Sequence, residues 1–168
     1  MPNAAPSAYS RTQIILHWTI AVLILAQYLF SEGMEHAWRA FVRGQEVSAA
    51  DLPLAYMHAA FGVIVLVLAA VRLWLRATRG VPSLPADEPE PLKWLAHITH
   101  GLIYLLIFLV PFSGAVSWFF GVQGAIGAHL IGKTVLMYVV AIHIAGALVQ
   151  HFVLKTNVLR RMIAFGRA

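Results

Sequence analysis

Four long apolar runs dominate the chain, from about Thr12 to Phe30, Leu54 to Trp74, Leu95 to Phe120 and Ala125 to Leu154. Each is near or above the roughly 20 residues with which an α-helix crosses a bilayer. Backbone amides in hydrocarbon have no water to bond, and a helix satisfies them within one segment. The runs therefore predict an all-α membrane protein, a four-transmembrane-helix bundle in which residues 1–168 form one domain. Composition agrees, with 60% of residues hydrophobic and 11% charged. The first run is too long in its apolar core for a secretory signal, only Arg11 precedes it, and no small-residue cleavage site follows. It is expected to stay in the mature chain.

Charge sets the expected orientation. Arg11, Arg72, Arg76, Arg79, Lys93, Lys155, Arg160, Arg161 and Arg167 fall on one side of the membrane. On the other, Arg39 and Arg43 are outnumbered by Glu32, Glu35, Glu46 and Asp51, with Lys133 just inside the fourth run. The positive-inside rule then puts both termini in the cytoplasm. The net charge of +5 is read as topology and not as a nucleic-acid surface, because the basic residues sit at the ends of apolar runs. The Pro-rich, acidic "RGVPSLPADEPEPLK" reads as an exposed cytoplasmic linker. The connection around "GVQGAIG" is so short that the last two helices should be antiparallel neighbours. Trp18, Trp74, Trp94 and Trp118 fall where an aromatic belt would lie, Arg72 and Arg76 read as headgroup anchors, and Pro111 predicts a kink.

Histidine carries the chemistry. There is no cysteine, which excludes disulfides, thiolate metal sites, iron–sulfur clusters and covalent c-type haem. Of eight histidines, all but His36, read as solvated in a polar first loop, lie in or at the edges of the apolar runs: His17, His58, His97, His100, His129, His143 and His151. Imidazoles at membrane depth are paired, cavity-facing or ligating. His129 and His143 return to within about 40° of one helix face and stand about 21 Å apart along it, which allows two sites within one bilayer. Depth pairs His58 with His129 towards the periplasmic side and His17 with His143 towards the cytoplasmic side, leaving His151 at the interface. Two imidazoles make a poor zinc or iron-ion site, but they suit a planar haem b ligated from both faces in a bundle core. Gly62, Gly146 and Ala147 are the small residues beside these ligands, where close helix packing explains them as well as a flat guest does.

Four segments, "YSRTQIILHW", "MHAAFGVIVLVLAAVRLWLR", "LAHITHGLIYLLIFLVPFSG" and "IHIAGALVQHFVLKTNVLRRM", resemble in order the bacterial cytochrome b561 family, related to the cytochrome b subunits of formate dehydrogenases and nickel–iron hydrogenases. The resemblance implies an inner-membrane protein with two non-covalent, bis-histidine haems b. The matching ligand positions are His17, His58, His129 and His143. Some members of the family resemble superoxide oxidases, which take an electron from periplasmic superoxide and pass it to ubiquinone near the cytoplasmic face. Two features depart from the pattern: the last interhelix loop is short, and Lys155-Thr156 stands where the family often has Lys-Asp.

On this reading Lys133 is a candidate to guide superoxide or to meet a haem propionate, and His151 is a candidate quinone contact and proton donor. His97 and His100 are candidates for lining the same pocket or capping propionates. The leading function is electron transfer from a periplasmic one-electron donor, with superoxide as the candidate, to ubiquinone or another membrane quinone. A membrane anchor for a partner dehydrogenase and a histidine-lined metal-ion transporter are the alternatives.

Overall fold

A computed structural model describes residues 6, 8–85 and 88–163; Ala86 and Asp87 of the linker and Arg167 of the basic tail lie outside them. The described residues are helical and contain no strand. Six helices follow one another: α1 (Arg11–Leu29), α2 (Glu32–Val42), α3 (Asp51–Arg79), α4 (Glu90–Phe120), α5 (Gln123–Leu148) and α6 (Arg160–Ile163). A π-helical turn, Val149–Val153, continues α5. Helices α1, α3, α4 and α5 are long and apolar enough to cross a membrane. Their outer faces carry exposed Val22, Leu25, Val67, Leu105, Ile131 and Phe152, a surface made for lipid.

Local chemistry sets the helix ends. Ser10 and Gln13 form a reciprocal capping box at the start of α1. Gln13 is nevertheless buried, because its Nε2 also donates to the Gly80 carbonyl at 3.0 Å and ties α1 to the end of α3. Helix α4 ends at Gly121 with φ +66°, a left-handed cap that suits glycine, and α5 begins two residues later. Helix α4 continues through Pro111, whose missing N–H leaves the Ile107 carbonyl without its usual donor.

Close packing runs from α1 to α3, from α3 to α4 and from α4 to α5. Ile20, Val65, Ala69, Leu106, Ile107, Leu136 and Val139 meet at mid-height as an apolar core. The N-terminus of α1 and the C-terminus of α5 share one end of the bundle, called here the terminal end. Trp18 Nε1 donates to the Met162 carbonyl at 2.7 Å there.

The other end carries an element that the expected polar loop did not include. Helix α2 packs on α3, with Gly33 set so tightly against Leu54 that a Cβ would stand 2.4 Å from the leucine Cβ. His36 lies on this helix. It is not simply solvated, since its Nδ1 stands 3.2 Å from Asp51 Oδ1 and its Nε2 3.8 Å from Glu32 Oε1. The linker also differs from its expected exposure: Glu88 is buried against the π-turn.

Candidate functional site

The four histidines singled out by depth meet in two pairs. His58 on α3 and His129 on α5 hold their ring centroids 6.2 Å apart, and His17 on α1 and His143 on α5 repeat that spacing of 6.2 Å. Neither α3–α5 nor α1–α5 is among the closely packed helix pairs, so both histidine pairs reach across gaps in the bundle. The mid-height core separates them. An imidazole nitrogen binds a first-row metal at about 2 Å and the ring centroid lies roughly 1 Å behind it. Two rings on opposite sides of one ion therefore stand about 6 Å apart.

At the α2 end a cavity of about 410 Å³ opens beside His58 and His129. That is within the size range of small-molecule and cofactor sites. Gly62, Gly114 and Trp118 line its walls, and Glu35, Arg39 and Lys133 line its polar side. Trp118, near the end of α4, packs edge-on to Tyr56 and lines this cavity. His129 Nδ1 lies 2.8 Å from the Val110 carbonyl. Only a donor can bond a carbonyl, so the proton sits on Nδ1 and the Nε2 lone pair is free, the state a metal ligand needs. His58 Nδ1 is buried without a hydrogen-bond partner among the described residues. The His58 backbone carbonyl accepts from Gln27 Nε2 at 2.9 Å, which fixes α3 against α1.

Gly114 is the residue that sequence reasoning missed. A Cβ at this position would lie 2.7 Å from His129 Nδ1 and 2.9 Å from Cε1, so only glycine lets α4 approach the imidazole. Gly62 does face the cavity, whereas Gly146, expected beside His143, has open space where a Cβ would be. Lys133 is not a lone cation. It bonds Glu35 at 3.0 Å, and its backbone carbonyl accepts from the Tyr28 hydroxyl. The Lys133 ammonium holds the Glu35 carboxyl below the ordinary glutamate range through that hydrogen bond.

At the terminal end a third imidazole joins the His17–His143 pair. His100 stands 5.0 Å from His143 between ring centroids, nearer than His17. Its Nδ1 lies 2.6 Å from the Ala96 carbonyl. His97, three residues before His100 on α4 and expected to share a role with it, is exposed, whereas His100 is half-buried. Arg72 and Arg76 are half-buried, with partners inside the protein. Arg72 Nη1 donates to the Gln13 carbonyl at 2.6 Å, and the Arg76 guanidinium lies 5.8 Å from the centre of the Tyr104 ring. His151 sits apart in the π-turn, its ring against Phe152. Among the described residues no group of three or more His, Cys, Asp or Glu could hold a metal ion directly.

Paired imidazoles in a thiol-free membrane bundle agree with what known proteins show. The family model for prokaryotic cytochrome b561 matches residues 8–164. The chain belongs to the prokaryotic cytochrome b561 family. Cytochrome b562 of Cereibacter sphaeroides is 37% identical over 158 residues, spanning 92% of this chain and 94% of that protein. A probable superoxide oxidase CybB of Yersinia pestis is 26% identical, over 92% of this chain and 95% of its own length. Cytochrome b561 homolog 1 of Escherichia coli K12 is 25% identical, over 92% of this chain and 96% of its own length. As a cytochrome b561 the protein is a haem-b electron-transfer protein of a membrane.

Proposed function

We propose that this cytochrome b561 holds two haems b and carries electrons from a one-electron donor at the α2 end to ubiquinone at the terminal end, with superoxide as the donor. The observation that carries the reading is the repeated 6.2 Å spacing of two histidine pairs at opposite ends of one bundle. His58 and His129 would hold the outer haem, and His17 and His143 the inner one. Bound there, haem supplies reversible one-electron chemistry.

The rest is done by the polypeptide. The Val110 carbonyl fixes the tautomer and ring plane of His129. Lys133 and Arg39, on the polar side of the outer cavity, draw an anion inward, and Glu35 offsets part of that field. His151, in the π-turn beyond the inner pair, is the quinone contact. The basic residues gathered at the terminal end support an inner-membrane orientation with both termini cytoplasmic.

Stopped-flow mixing of the purified protein with superoxide, with and without a ubiquinone analogue, tests the reading. Haem reduction faster than with superoxide dismutase present, followed by quinone-dependent reoxidation, is expected. A protein that superoxide leaves oxidised, yet that copurifies with and is reduced by a dehydrogenase, would make it that enzyme's membrane anchor instead.

A further inference from the structure

The terminal end holds a polar cluster that neither histidine pair uses. Its centre is Glu88, from the linker ahead of α4, which is only 6% exposed. Glu88 Oε1 accepts from Gln150 Nε2. Glu88 Oε2 is buried with no hydrogen-bond partner among the described residues. Gln150 is held in turn: its Oε1 accepts from Thr156 Oγ1 at 2.9 Å, and its backbone carbonyl accepts from Thr156 N at 2.8 Å. The next residue, His151, carries a second buried orphan, Nδ1. Both residues belong to the π-turn Val149–Val153. Such turns occur frequently at functional sites, and unsatisfied buried polar atoms call for a specific explanation such as a catalytic role.

We infer that Glu88 carries protons to a quinone held at the π-turn against His151. The inference rests on the quinone reading above and adds a proton donor to it. Reduction of a quinone to the quinol consumes two electrons, which the cytochrome's haems provide, and two protons. Gln150 donates to Oε1, so Oε2, which has no partner among the described residues, is the oxygen through which Glu88 would pass a proton. The Oε2–H bond breaks as the new O–H bond forms on a quinone oxygen. Water at the terminal face then returns a proton to the carboxylate, and the second proton follows the same route.

The test uses the full haem-loaded chain in lipid nanodiscs, reduced with dithionite and mixed with decylubiquinone or with ferricyanide, which takes an electron without a proton. Glu88→Gln keeps an acceptor for Gln150 and removes the acid. At least tenfold slower reoxidation by decylubiquinone is expected, with unchanged haem absorption and an unchanged ferricyanide rate, and Glu88→Asp should recover part of the loss. Equal decylubiquinone rates in Glu88→Gln and wild type would overturn the inference alone. So would altered haem spectra or parallel loss of the ferricyanide rate, which would make Glu88 a structural residue. Wild-type protein that ferricyanide reoxidises and decylubiquinone does not would overturn the quinone reading and this inference with it.

Discussion

Replacing Gly114 with alanine should cost the outer haem and spare the inner one. The new Cβ would stand 2.7 Å from His129 Nδ1 and 2.9 Å from Cε1. Ordinary carbon contacts are about 3.5–4.0 Å, so the ring must retreat by roughly 1 Å. It is tied at 2.8 Å to the Val110 carbonyl, and a retreat of that size carries the bond beyond hydrogen-bonding range. Overpacking costs about 1–3 kcal/mol and the abandoned bond about 1–3 kcal/mol, against a helix-propensity gain of about 0.5–1 kcal/mol. Losing the group that orients a metal-ligating histidine weakens metal binding by about 10–100-fold. Haem content by pyridine haemochrome, with a potentiometric titration of the reduced absorption bands, reads the result. The expected variant keeps one haem per chain firmly and loses the other on dilution. Two tightly held haems with both midpoint potentials unchanged would refute the argument that α4 positions His129.

Four further outcomes follow from the geometry. His143→Ala should remove one haem, whereas His100→Ala should leave two; haem counting that reverses this order would transfer the ligand role to His100. Glu35→Gln should raise the rate of haem reduction by superoxide several-fold at low ionic strength, because it removes the carboxylate that offsets Lys133, a like charge about 4 Å from an incoming anion costs about 1 kcal/mol in water, and salt should erase the gain. The Glu35 pair also has a pH signature. Its carboxyl titrates below the ordinary glutamate range when folded, so its stabilisation, under about 1 kcal/mol for so exposed a pair, is full above that range. The stability difference between wild type and Glu35→Gln should vanish as pH falls through the lowered value, as read by thermal melts. Gln13→Ala removes half of a capping box and the bond to Gly80, and should destabilise the bundle by about 1–3 kcal/mol in detergent unfolding.

The four spans were legible because an apolar run of sufficient length has one solution in a bilayer. The juxtaposition of His58 with His129 and of His17 with His143 was legible too, because rise per residue converts spacing into depth. What escaped the sequence depends on contacts between distant segments. Gly114 looks like any glycine in an apolar helix until α5 brings His129 against it. Glu88 reads as one more acid in a Pro-rich linker, and only its meeting with Gln150 buries it. Helix α2 did leave a signal: Glu32 and Glu35 in its first turn and Arg39 in its last complement a helix dipole, and Met34 and Trp38, one turn apart, both face the outer cavity. Its short length and mixed charge made it resemble a loop.

Helix α5 contributes an imidazole to each pair, while the partners come from α1 and α3, both earlier in the chain. During synthesis, His17 and His58 therefore enter the bilayer before either has an opposite number. Neither pair can close until the fourth span has inserted, and then both can close together. On the proposed ligand assignment, cofactor capture belongs to the end of biogenesis, and a chain arrested before α5 would lack one histidine of each pair.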